Sequence, residues 1–210
     1  MKKDLVVLIA HIDDFECACY GYVLNHYHEY DKIRIITATT WDAKIPVWEE
    51  NKKAFPQDLQ DKLEDVNLGY DARTLWKNLD DMKDDFYKLM NFQKRFDLIS
   101  HDGNDCHTDH TACFTVAKGM YKYCNRFITI YSPSAAHFNP NFFVGLTPEQ
   151  YEIKKAGLDK YDIQKENSYT KLGYYLQSEE HYNIGRAHVL ENYVFDDYKT
   201  YEVYKILKWL

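Results

Sequence analysis

One junction near the start of the chain limits what the rest can fold into. Residues 5–16 read Leu-Val-Val-Leu-Ile-Ala-His-Ile-Asp-Asp-Phe-Glu. The run from Leu5 to Ala10 is uninterrupted and apolar, the pattern of a strand buried on both faces. It stops abruptly at His11, Asp13 and Asp14. Three ionisable groups directly after a buried strand are costly unless they are paired or hold a metal. An open α/β sheet leaves a ligand crevice at the carboxyl ends of its parallel strands. The junction therefore predicts half of a metal site, and the other half must come from elsewhere in the chain.

The pattern downstream supplies the sheet. Phe15 to Tyr30 has helical spacing, and Ile33 to Thr39 is a second strand. Strand, helix and strand in that order form a βαβ unit, which favours a parallel sheet with a right-handed crossover. Residues 41–56 are irregular and sit beyond a strand end, where they can line the crevice. A helix is predicted over Gln57 to Leu68, stopped by Gly69. Another is predicted over Asp80 to Phe96, opened by acids and closed by Lys94-Arg95 in the sense that suits the helix dipole. Phe96 to His101 reads as a strand, Asp102 to Cys106 as a polar loop, and Thr108 to Tyr123 as a helix with Ala112, Val116 and Met120 on one stripe. Phe127 to Tyr131 is again strand-like. Phe142-Phe143-Val144 is a short apolar piece, and Pro148 to Tyr161 a helix with Pro in its first turn. Residues 162–187 read as surface helix and loops or a lid, and Val194 to Leu210 as a strand followed by an amphipathic helix. The expectation is one α/β domain over residues 1–210, a three-layer Rossmann-like fold with a mostly parallel sheet.

Composition narrows the function classes. The net charge of -7 argues against a general nucleic-acid binder, which would carry a basic face. No apolar stretch approaches the roughly 20 residues needed to span a bilayer. A signal-peptide reading of the first residues fails, because His11, Asp13 and Asp14 break a short apolar run. Five cysteines, an odd count with no Cys-x-x-Cys pair, suggest reduced thiols in the cytoplasm and exclude a zinc ribbon. The 19 tyrosines suit a cleft for polar ligands as well as amphipathic surface.

The second half of the site is His107-Thr-Asp-His110, which follows another predicted strand and a short loop. Its two histidines are three residues apart at a helix start and can face one side. His11 and Asp14 have the same spacing past the first strand. If the two strands are neighbours, the pairs converge. Two histidines and one carboxylate with an open position form a catalytic zinc arrangement. Such a metal lowers the pKa of bound water and polarises a substrate carbonyl, and a nearby free carboxylate serves as proton acceptor. Spacing leaves open which aspartate binds the metal. Alone, each motif also has a plain structural reading, an N-cap for Asp13 or Asp14 and a solvated first helical turn for the histidine pair.

Ala10-His-Ile-Asp-Asp-Phe-Glu16 resembles the Ala-His-Pro-Asp-Asp signature of the LmbE-like/PIG-L family of zinc-dependent N-deacetylases. Asn104-Asp-Cys-His-Thr-Asp-His110 resembles that family's His-x-Asp-His signature. Weaker similarities follow at Phe138 to Val144, at Lys154, Leu158, Tyr161 and Gln164, and at Gly185 to Tyr193, so the resemblance covers nearly the whole chain. It implies hydrolysis of an N-acyl group, most typically N-acetyl, on an N-acetylglucosamine-type amino sugar. It implies His11, Asp14 and His110 as metal ligands, Asp13 as general base and then acid, and His107 as oxyanion donor. The ligand set suits Zn2+, and Fe2+ equally. Ile12 stands in place of the family's Pro, and Ala18 and Tyr20 in place of glycines, which leaves only Gly21 of a Gly-x-Gly-Gly stretch and puts Tyr20 where it can narrow the pocket.

Trp41 and Asp42, just past the second strand, suit stacking on a sugar ring, with His101 and His188 as further candidates for the substrate side. Cys17, Cys106 and Cys113 lie near the site without ligand spacing and read as small buried thiols. The expected partner is a small N-acylated amino sugar or its conjugate, and homo-oligomerisation is open. Rival readings are a metal-dependent esterase acting on an O-acyl substrate and a ligand-binding protein on a degenerate deacetylase scaffold.

Overall fold

The computed structural model describes residues 3–40, 44–90, 92, 94–162 and 197–209. Strand β1 (Lys3–Ile9) is central in the sheet, as the buried run requires. Its side chains alternate between two cores. Leu5, Val7 and Ile9 enter one, and Val6 and Leu8, with Ala10 just beyond the strand, enter the other. Both faces are covered by helices, so the molecule has three layers. Each fully buried aliphatic side chain of this kind contributes roughly 1.5–3 kcal/mol.

Helices α1 (Asp13–Ala18) and α2 (Tyr20–His26) lead into β2 (Tyr30–Thr39). Next come α3 (Ile45–Asn51), the short α4 (Gln57–Gln60) and β3 (Leu63–Tyr70). Then α5 (Leu79–Leu89) precedes β4 (Phe96–His101), and α6 (Thr108–Lys118) precedes β5 (Arg126–Ile130). The described chain ends with β6 (Phe142–Leu146), α7 (Pro148–Asp162) and β7 (Thr200–Trp209). The strand order is β3-β2-β1-β4-β5-β7-β6. The first five strands are parallel, and β7 runs antiparallel to both β5 and β6.

This is the Rossmann-like architecture the sequence predicts. The chain proceeds outward from β1 to β2 and β3, then returns to lay β4 on the other side of β1. The order of strands reverses between β1 and β4, which is where open α/β sheets form their ligand crevice. The segments that follow these two strands carry His11 to Asp14 and His107 to His110.

Four predicted elements are corrected. The helix expected over Phe15 to Tyr30 breaks at Cys19 into α1 and α2. Glu202 Oε2 from β7 accepts from the Gly21 and Tyr22 N–H groups (2.8 and 3.3 Å) and so caps a new helix start. Of the helix expected over Gln57 to Leu68, only α4 (Gln57–Gln60) forms, and from Leu63 the chain is β3. Val66, Leu68 and Tyr70 have period two, and alternate residues face solvent along this sheet edge. Helix α5 ends at Leu89, and Lys94 pairs with Asp4 and Asp31 rather than closing a helix. The amphipathic helix expected near the C-terminus is the strand β7, placed between β5 and β6. Residues 163–187 and His188 lie outside the described residues, as do Trp41 and Asp42. All five cysteines are free thiols, but of the three expected to be buried only Cys113 is; Cys17 is half-buried and Cys106 is exposed.

Candidate metal centre

The register of β1 on β4 pairs Leu8 with Ser100, and the Ser100 hydroxyl donates to Leu8 O at 2.9 Å. The ends of the two strands are thereby level. One residue on, the Ala10 N–H donates to Nε2 of fully buried His101 at 3.1 Å. On the other side of β1, Ala10 O accepts from Thr39 of β2, through both its hydroxyl at 2.7 Å and its N–H at 3.1 Å. The turn that carries His11 is therefore held from both neighbouring strands.

Asp14 stands at the centre of the imidazoles that gather there. Its Oδ2 accepts from the His11 N–H (2.8 Å) and lies 3.3 Å from His11 Nδ1 and from His101 Nε2. Its Oδ1 lies 3.6 Å from His110 Nε2. The His101 and His110 rings stack at 3.8 Å, and His110 and His107 at 4.4 Å. Two groups have ligand atoms within 4.8 Å of one another, His11 with His107 and His110, and Asp14 with His101 and His110. His110 belongs to both.

The other nitrogens of His110 and His11 each face a carboxylate, whereas His101 Nδ1 is buried with no hydrogen-bond partner among the described residues. His110 Nδ1 is 2.8 Å from Asp105 Oδ2, and His11 Nε2 is 3.4 Å from Asp109 Oδ2. A buried carboxylate behind a histidine fixes its tautomer and turns its remaining lone pair forward, as in metal-binding histidines. Those forward lone pairs are His11 Nδ1 and His110 Nε2, 3.3 and 3.6 Å from the Asp14 carboxylate. His107 differs. Its Nδ1 accepts from the Asp109 N–H at 3.2 Å as the N-cap of α6, so the neutral ring carries its proton on Nε2. The lone pair of His101 Nε2 is engaged by Ala10. The chemistry of the set, two forward imidazole nitrogens and a carboxylate, fits a divalent cation.

The electrostatics agree. Burial opposes charge on His11 and His110, yet the surrounding carboxylates outweigh it. Asp14 and Asp109 raise His11 to about 9, and Asp14 and Asp105 raise His110 to about 10. Burial pushes the Asp14 carboxyl up, but His110, His101 and His11 together hold it well below the usual range. Burial and the neighbouring His110 push His101 down to about 4. The pocket thus gathers acceptors and negative charge that protons satisfy when no cation does.

Asp13 begins α1 beside this cluster. It is nearly buried, and Lys44 forms an ion pair with its Oδ2. Asp13 Oδ1 has no hydrogen-bond partner among the described residues. One turn later, buried Glu16 accepts from Asn51 of α3 at 2.9 Å and from the Tyr161 hydroxyl of α7 at 3.1 Å. Tyr20 begins α2, is buried against Phe55 and lines a cavity with Glu16 and Asn51.

The structure brings His11, Asp13, Asp14, His107, His110 and His101 into one crevice. His101 has no exposed surface, so it sits behind the site rather than at its mouth. Sequence reasoning assigned no role to Asp105, Asp109, Ser132, Ser134 or Lys44. Asp105 accepts from the His107 N–H at 2.8 Å and from the hydroxyls of Ser132 and Ser134. Asp109 accepts from the Arg73 and Leu75 N–H groups (2.6 and 3.4 Å) and so secures the loop before α5. The signal for both acids was their place inside the second motif.

No family model and no curated protein matches the sequence. Solved structures do match. N,N'-diacetylchitobiose deacetylase from Pyrococcus horikoshii superposes with a TM-score of 0.67 at 13% identity, over 98% of this chain and 84% of that one. The 4-carboxy-2-hydroxymuconate hydratase GalB from Pseudomonas putida KT2440 gives 0.65 at 14% identity, over 98% and 96%. A zinc-inhibited form of a teicoplanin deacetylase gives 0.57 at 9% identity, over 97% of both chains. The resemblance read from two short motifs holds for the whole architecture, which is the fold of the LmbE-like/PIG-L deacetylases.

Proposed function

We propose that this protein is a metal-dependent hydrolase that removes an N-acyl group, most typically N-acetyl, from a small molecule containing an amino sugar. One observation carries the reading. Asp14 faces His11 Nδ1 and His110 Nε2, each imidazole is backed by its own buried carboxylate, and the carboxylate of Asp13 lies alongside. His11, Asp14 and His110 would hold the metal, Zn2+ or Fe2+. Bound there, the ion supplies Lewis acidity, which polarises the acyl carbonyl and makes water a better nucleophile.

The chain's own residues do the rest. Asp13 takes a proton from the water as its oxygen attacks the acyl carbon. His107, neutral with its proton on Nε2, donates to the oxyanion that forms. Protonated Asp13 then delivers that proton to the amide nitrogen as the C–N bond breaks, leaving a carboxylic acid and a free amine. The names of two neighbours support the class, since chitobiose and teicoplanin deacetylases share the architecture. A hydratase shares it too, so the reaction is tested directly. Metal analysis of the purified protein is combined with an amine-release screen over N-acetylglucosamine, N,N'-diacetylchitobiose, nucleotide-linked N-acetyl sugars and O-acetyl controls. Amine release that requires stoichiometric metal is expected. A fully metal-loaded sample that releases no amine, or cleaves only the O-acetyl compounds, overturns the proposal.

A further inference from the structure

Lys44 lies in the irregular stretch expected to line the crevice; it is 5% exposed, and its ammonium meets Asp13. A desolvated ammonium needs an anion, because removing one partner of a buried pair leaves an uncompensated buried charge. The backbone of Lys44 is as firmly placed as its tip. Its carbonyl accepts the Trp48 N–H (3.0 Å) at the start of α3. Helix α3 is docked on α1 by the Phe15–Trp48 ring contact (5.1 Å) and by Asn51 donating to Glu16 (2.9 Å). The Lys44 ammonium also lies 6.0 Å from the centroid of the Tyr161 ring, at the limit of cation–π attraction. Base and lysine therefore sit on two elements that are locked to each other.

We infer that Lys44 is the positioning residue for Asp13: its buried ammonium holds Oδ2 and fixes the plane of the carboxylate, so that Oδ1 is the oxygen that exchanges protons with water and the leaving amine. The inference rests on the deacylase reading above. Oδ2 is occupied by Lys44, whereas Oδ1 is buried and has no hydrogen-bond partner among the described residues. A carboxylate tied at one oxygen loses rotational freedom without losing its second acceptor, and such orientation is a large part of what a general base contributes. Water gives its proton to Oδ1 as its oxygen bonds to the acyl carbon. The same proton leaves Oδ1 for the nitrogen as the C–N electron pair departs, so Asp13 ends as it began.

The test compares wild type, Lys44→Met, Lys44→Gln and Lys44→Arg as metal-loaded proteins. Met and Gln should lower kcat on the order of 100-fold, the low end for losing an oriented acid–base group, with KM within threefold. Metal content should be unchanged, and Arg should recover at least tenfold of the loss. Apart from turnover, lysine-ammonium NMR should show an exchange-protected resonance at neutral pH that disappears in Lys44→Met and shifts in Asp13→Asn. Unchanged kcat in Met and Gln overturns the inference, and so does loss of metal together with activity, which marks a merely structural lysine. If the protected resonance is absent while wild type releases amine, only the Lys44 inference fails. If the resonance is present while wild type is inert, the deacylase reading fails and takes the positioning role with it.

Discussion

The carboxylate of Asp105 lies 2.8 Å from Nδ1 of His110 and also accepts from Ser132, Ser134 and the His107 N–H. It therefore sets the direction of one histidine's lone pair and the backbone of the other. Asp105→Ala should weaken metal binding about 10–100-fold, the usual cost of losing a carboxylate behind a ligating histidine. Competition against a metal-sensitive chelator measures this. An affinity within twofold of wild type would show that His110 does not bind through the nitrogen turned away from Asp105.

His110→Ala and Asp13→Ala should separate two jobs. The first removes the residue shared by both candidate ligand groups and should leave less than about one-tenth of the metal after dialysis. The second should retain stoichiometric metal and lose roughly 100-fold or more in kcat. Full activity in Asp13→Ala would sink the mechanism, whatever its metal content.

The pH dependence follows from the raised histidines. A pKa raised on folding gives stability that is complete below the unfolded value near 6.5 and is lost as pH rises through the folded value. For His11 and His110 those folded values are about 9 and about 10. Metal-free protein should therefore lose thermal stability between about pH 6.5 and 10. Metal-loaded protein should not share that decline, because its histidines are already deprotonated. Burial pushes Glu16 up to about 8 from 4.5, against its hydrogen bonds from Asn51 and Tyr161, and this adds a loss of the same sign that begins lower. At pH 7, metal binding must expel on the order of two protons. Calorimetry in buffers of different ionisation enthalpy counts them, and a count near zero contradicts the picture.

What was legible in the sequence follows from where free energy is concentrated. The strands β1 and β4 are buried on both faces, so their patterns admit few alternatives. The two acidic histidine motifs were readable because charges next to such strands need a reason. Strand β3 is hidden in the sequence because an edge strand has one solvated face, and Leu63-Glu-Asp-Val-Asn-Leu-Gly-Tyr70 mimics a polar helix with a C-terminal glycine. Strand β7 is hidden because its neighbours β5 and β6 are recruited from distant sequence, and Lys205 and Lys208 disguise its period. Within the site, Asp105 and Asp109 sat in a recognised motif without a role, since only the fold shows which nitrogen each one faces. Lys44 falls in the stretch expected to line the crevice, but nothing in the sequence singles out this lysine from its neighbours.

The break between α1 and α2 yields a stability prediction that bears on the site, because α1 carries Asp13 and Asp14. Glu202 Oε1 pairs with Lys154 of α7 at 2.6 Å, while Oε2 caps Gly21 and Tyr22 and accepts from the Tyr204 hydroxyl. Lys154 also donates to Cys17 O at 2.7 Å, which ties the end of α1 to the same carboxylate. Glu202→Ala should cost about 3–5 kcal/mol in urea unfolding, since it strands a buried ammonium. Gly21→Ala should cost about 1–3 kcal/mol, because its Cβ would lie 2.9 Å from both Glu202 Oε2 and Leu146 Cδ2. Combining Glu202→Leu with Lys154→Met should cost less than the sum of the single changes, because each partner's removal is what makes the other's burial expensive. Additive losses would mean that the pair is not coupled, and that the capping of Gly21 and Tyr22 alone holds the break in place.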